Sequence, residues 1–226
     1  MPAPLRNVAL TAMEVATLHR VFPGRFVPGV GHGVQDWMGQ VGGRVASPMT
    51  LLEEYLTALR RLLDGEEVTV DGRYVHLDRV RLDWPPEPGV AVMAGGFGPR
   101  TLDLAARRAD GVLLAAGLSA AELTTAAELA RAGSGDPDLE VVYSVVAAAG
   151  PDAQARADAD LAQWGVSPDP TRTAAGSPEE IAAAIRRSAE AGATTVVIQP
   201  TADLEDVAEV VALVEVIGRE VRPLLG

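Results

Sequence analysis

The sequence contains no cysteine and no lysine; all 19 of its basic residues are arginine. Without thiols there is no disulfide, no thiolate nucleophile and no cysteine-based metal site. Freedom from disulfides suits a reducing cytoplasm, which is the expected location. Acidic residues number 31 and set the net charge at −12. Such a surface repels nucleic-acid backbones and anionic lipid, so neither nucleic acid nor membrane is expected as a partner. Histidine is scarce: His19, His32 and His76 are scattered and lack metal-ligand spacing, so no metal is expected. No apolar run reaches the roughly 20 residues that span a bilayer. The opening MPAPLRN lacks the apolar segment of a secretion signal. A Walker A sequence and a G-x-S-x-G elbow are also missing. No residue stands out as a nucleophile or general base, so the catalytic residues stay unassigned.

The chain has 226 residues, 48% of them hydrophobic, enough for one large core. Its pattern alternates strand and helix. Residues 4–22 read as a helix with Val8, Met13, Val15, Leu18 and Phe22 as apolar positions, and 26–30 as a strand. Ser47-Pro48 opens a helix to about Leu63. Asp71-Gly72 joins two short strands as a hairpin. Strands follow at 90–94, 111–115, 141–148 and 194–199, and helices at 99–108, from Ser119, at 152–164, from Ser177 and at about 204–222. Residues 133–138 and 165–176 read as loops. The adjacent pairs Glu53-Glu54, Glu66-Glu67 and Glu179-Glu180 read as solvated charges, and Asp110 as a turn residue. Repeated βα units imply a parallel sheet covered by helices. Five main strands and a hairpin, taken alone, fit an open doubly wound sheet more simply than an eight-stranded barrel.

Two glycine turns carry the functional signal. In RFVPGVGHGVQDWMGQVG a short apolar run ends in Gly29, Gly31 and Gly33, followed by His32, Gln35, Asp36 and Trp37. In AGGFGPR, residues 94–100, a strand gives way to a helix opening at Pro99. There backbone N–H groups, the helix dipole and Arg100 suit a phosphate. Both turns follow strands, so both belong on the C-terminal rim of a parallel sheet, where α/β proteins hold ligands.

Three segments in order resemble the bacterial luciferase-like oxidoreductases, and most closely the branch that uses the deazaflavin coenzyme F420; relatives use FMN. They are GRFVPGVGHGVQDWMGQVG, SPMTLLEEYLTALRRLLDGEEVTVDGRYV and GFGPRTLDLAARRADGVLL, with SPEEIAAAIRRSAEAGATTVVIQP behind them. The resemblance spans nearly the whole chain. It implies an α/β fold of the (β/α)8 TIM-barrel family with a β-hairpin insertion, and overrides the open-sheet count. It also implies cofactor contacts from Gly31, His32 and Gly33, and a phosphate hold from Gly96, Phe97, Gly98, Pro99 and Arg100. Trp37 stands where several relatives carry a polar cofactor contact. The family starts with three further strands, so the resemblance implies a single barrel domain over 1–226 lacking its N-terminal quarter, with Met1-Pro2 at the end of the third strand. The start is then either misassigned or a genuine shortening. The implied activity is F420-dependent hydride transfer to or from a small organic substrate. The alternatives are an FMN-dependent monooxygenase and a shortened non-catalytic flavin-binding or dimerising protein. A homodimer is expected, because a five-strand remnant exposes sheet edges and a core face.

Overall fold

The computed structural model describes residues 1–87, 89–96, 98–204 and 206–226. They group into two compact units, Met1–Leu113 with Ala132–Leu139, and Leu114–Arg131 with Glu140–Gly226.

In the first unit, helix α1 (Val8–Val21) starts at Asn7, whose Oδ1 accepts the Ala9 N–H at 2.9 Å. The helix does not begin at Pro4 as expected, because Ala3–Leu5 form a separate 3-10 turn. Its inner stripe is Val8, Thr11, Ala12, Val15 and Ala16; of the apolar positions read from the sequence, Met13, Leu18 and Phe22 are exposed. Small side chains facing inward let α1 approach α3 (Pro48–Leu63), where the Thr11 hydroxyl and Tyr55 OH share a buried hydrogen bond of 2.6 Å. Leu52, Leu56, Leu59 and Leu62 line the buried face of α3 at helical spacing.

Strand β1 (Gly29–Gly31) is shorter than expected and begins only after Pro28. Helix α2 (Gln35–Gln40) follows. The hairpin β2 (Val68–Asp71) and β3 (His76–Val80) lies where Asp71-Gly72 placed it. Strand β4 (Met93–Gly95), helix α4 (Pro99–Arg108) and strand β5 (Gly111–Leu114) complete this part of the chain. β1, β4 and β5 run parallel in the register Gly31↔Gly95↔Leu113. On the other edge of β1, Pro2 makes a parallel bridge to Gly31, and the Met1 carbonyl accepts the Gly31 N–H at 3.0 Å. Met1-Pro2 therefore lies as the next parallel strand end.

In the second unit, α5 (Ala120–Ser134) opens at the expected capping box of Ser119 and Glu122. Then come β6 (Glu140–Ala149), α6 (Ala153–Ala162), β7 (Thr173–Gly176), α7 (Pro178–Glu190), β8 (Thr195–Pro200) and α8 (Val207–Val216). β6 pairs in parallel with both β7 and β8. β7 corrects the expected loop at 165–176. Its sequence TAAG carries no apolar alternation, and it extends only because the end of β6 offers backbone partners from Val146 to Ala149. Val146, Ala157 and Leu161 form a buried cluster under α6. Beyond α8 the helix continues through one π turn and one 3-10 turn to Leu224. No described helix is long and apolar enough to cross a membrane.

Candidate functional site

The register Gly31↔Gly95 sets the two glycine turns side by side. Each leaves the C-terminal end of its strand, as the sequence led us to expect; that the two strands are direct neighbours is set by the sheet register. The contact is tight: a Cβ on Gly31 would stand 3.1 Å from the Gly95 carbonyl oxygen, so the neighbouring backbone would have to give way slightly. Gly96 has φ +151°, and a Cβ there would meet the Thr101 methyl at 2.4 Å. Its N–H is held by the Leu113 carbonyl at 3.1 Å.

The first turn is locked from within. The His32 Nδ1–H donates to the Gly33 carbonyl at 2.9 Å, and the Gln35 amide donates to the carbonyls of His32 and Gly33, each at 3.2 Å. Because a carbonyl only accepts, Nδ1 carries the proton and Nε2 is the ring atom left for another partner. Trp37, on α2, is half exposed at 50%. Arg44 donates to the Gln35 carbonyl and to Asp36, fixing α2.

The second turn ends in the N-terminus of α4. Gly98 is its N-cap and Pro99 its first residue, and no side chain caps it. The amides of Thr101 and Leu102 turn back to the Gly98 carbonyl. A Cβ on Gly98 would meet nothing within 4 Å, so the space before the helix is open. Arg100 is exposed, and among the described residues no carboxylate lies within ion-pair distance of it. Phe97 lies outside the described residues. The arrangement is a helix N-terminus with positive potential, an open approach and a nearby guanidinium, next to a rigid histidine-bearing turn. A helix N-terminus of this kind is suited to an anion.

Two carboxylates have structural roles. Asp110 takes the Val92 N–H at 2.8 Å and pairs with Arg60, anchoring the entry to β4, which fits its reading as a turn residue. Glu54 is not the solvated charge expected: its carboxylate accepts the N–H groups of Arg73, Tyr74 and Val75 at 2.9, 2.8 and 3.1 Å. Burial opposes its ionisation, but these three bonds outweigh burial and hold its carboxyl below the usual value. Sequence reasoning also missed Asn7 as a cap, although Asn before an apolar-periodic run is a helix-start signal.

Residues 1–171 match the luciferase-like monooxygenase family. The chain belongs to that family. The 5,10-methylenetetrahydromethanopterin reductase of Methanolobus tindarius is 33% identical over 109 residues, which is 48% of this chain and 33% of that protein. The matched region thus spans about a third of that relative's length. An F420-dependent secondary alcohol dehydrogenase, solved with an F420-acetone adduct, superposes with a TM-score of 0.80 at 21% identity, covering 97% of this chain and 76% of its own. A riboflavin lyase solved with modified FMN and riboflavin superposes with a TM-score of 0.74 at 14% identity, covering 100% and 68%. The fold is therefore that of the TIM-barrel-type luciferase-like proteins, with parallel strands, intervening helices and the hairpin insertion.

Proposed function

We propose that this chain forms the cofactor-binding part of an F420-dependent oxidoreductase that moves a hydride between the deazaflavin and a small organic substrate. The observation that carries the reading is the pair of glycine turns fixed side by side by Gly31↔Gly95, one locked by His32 and the other ending in the uncapped N-terminus of α4. The similarity to an F420-dependent dehydrogenase over nearly the whole chain supports it.

The residues present fit such a group. Backbone amides at Gly98 and Arg100, with the Arg100 guanidinium, would hold the phosphate, and the missing Cβ of Gly98 keeps that approach clear. Gly31, His32, Gly33 and Trp37 would border the ring system, with His32 Nε2 available to hydrogen-bond it. When bound, the deazaflavin supplies the hydride chemistry. The protein's part is to fix the turns, orient the cofactor and exclude water. FMN is the second reading, supported by the similarity to the FMN-containing lyase.

The test is an equilibrium titration with F420 and with FMN. Saturable F420 binding that is tighter than FMN binding, and weakened by Arg100→Glu, is expected. Preferential FMN binding would move the chain to the second reading, and binding of neither would sink both.

A further inference from the structure

A cleft of about 180 Å³ lies apart from both glycine turns, bounded by the Ala3–Asn7 turn, the start of α3 and the tip of the hairpin. That is room for about six waters at ~30 Å³ each, or one small organic molecule. Because Pro2 bridges Gly31 in parallel, Ala3–Asn7 leaves at the same end of the strands as the two glycine turns. Pro4, Val8, Leu51 and Val75 give the cleft an apolar floor. Its polar side chains are Arg6, Asn7, Tyr74 and His76, with Tyr55, whose hydroxyl is already bonded to Thr11.

Asn7, Tyr74 and Arg6 have donors left to offer, whereas His76 is tied through Nδ1 to Asp71 at 3.1 Å and keeps Nε2. Asn7 has spent Oδ1 on the Ala9 N–H, so its two amide N–H donors are left. Tyr74 OH accepts the Ser47 N–H at 2.8 Å, which leaves its own proton to donate. Arg6 pairs with Glu14 through one terminal nitrogen and carries further N–H donors. The wall that presents Tyr74 is fixed by Glu54, and that clamp requires Gly72, where a Cβ would stand 2.6 Å from the Glu54 carboxylate. An apolar floor with a few fixed polar groups is the usual build of a small-ligand site.

The geometry points to this cleft as a binding site for a small molecule with an apolar body and an oxygen acceptor, carbonyl or carboxylate, held by Asn7, Tyr74 and Arg6. Its use as the substrate site rests on the oxidoreductase reading; its ability to bind does not.

The probes are benzoate and benzamide, titrated into the cofactor-free protein and followed by amide NMR. Saturable shifts confined to the cleft's lining, residues 3–9, 45, 51, 55 and 73–76, are expected. Asn7→Asp keeps the helix cap but replaces the two donors with an acceptor, and should weaken binding about tenfold or more, the scale of one lost hydrogen bond to a charged group. Tyr74→Phe is the second variant and should also weaken it. Binding of both probes assigns the site to a neutral or charged oxygen through Asn7 and Tyr74; binding of benzoate alone assigns it to a carboxylate through Arg6. Shifts elsewhere, no saturable binding, or indifference to both variants would overturn the proposal. F420 is absent from this experiment, so failure here leaves the cofactor reading standing, and failure of the F420 titration leaves this cleft standing.

Discussion

Gly96 shows how one missing methyl shapes the candidate site. Its φ of +151° and the Thr101 methyl both exclude a Cβ. Gly96→Ala should cost ~1–3 kcal/mol of stability, readable by denaturant unfolding, and should also weaken cofactor binding by displacing the start of α4. Glu54 acts at the same scale. With three backbone N–H groups on one carboxylate, Glu54→Gln should destabilise by about 1–2 kcal/mol and speed amide exchange at Arg73, Tyr74 and Val75. Unchanged exchange there would refute the clamp. Glu122 gives the pH prediction. The Ser119 backbone N–H, then its hydroxyl, then Arg172 bring its carboxyl down from 4.5 to about 2. A depressed folded value means that its stabilising contribution is complete above pH 4.5 and fades as pH falls toward about 2. Relative to Glu122→Gln, the native protein should therefore lose its stability advantage across that window, measured by thermal melts at stepped pH. A constant difference would contradict it.

At the scale of elements, the capped helices were the most legible. Ser177-Pro178-Glu179-Glu180 marked the start of α7, and the structure contains both halves of its capping box. Ser177→Ala should cost ~1 kcal/mol, measured by chemical denaturation. The signal is local: cap, proline and apolar period all lie within a few residues. The hairpin was equally clear, because Asp71-Gly72 dictates its own turn. Short strands were harder. β1 and β4 have three residues each, and their ends are set by which neighbour supplies hydrogen bonds, not by their own side chains. β7 was missed for the same reason. The inner face of α1 was not legible from hydrophobicity, because Ala12 and Ala16 face the core while Met13 and Leu18 are exposed.

At the scale of the whole molecule, an apolar stripe remains on α8. Val207, Val211 and Val214 share one helical face and are 78%, 49% and 62% exposed. Val197 on β8 is also 42% exposed. Contiguous exposed apolar surface drives association, so the chain should self-associate as the expected homodimer. Sedimentation velocity over a concentration series should show this, and Val211→Glu combined with Val214→Glu should shift it toward monomer. A concentration-independent monomer would sink the expectation.

The sequence by itself determined the alternation of parallel strands and helices, the hairpin, the capped helix starts and the two glycine turns. Each of these is written in a few adjacent residues, and the physics that produces them acts over that same short range. Segment order also carried the family resemblance. Only the tertiary structure decided that Gly31 faces Gly95, that Glu54 holds the hairpin, and that Tyr74 shares one cleft with Asn7 and Arg6. Those facts join residues from about 20 to nearly 70 positions apart. No local pattern encodes such pairings, because they follow from strand register and helix packing, which form only when the whole unit folds.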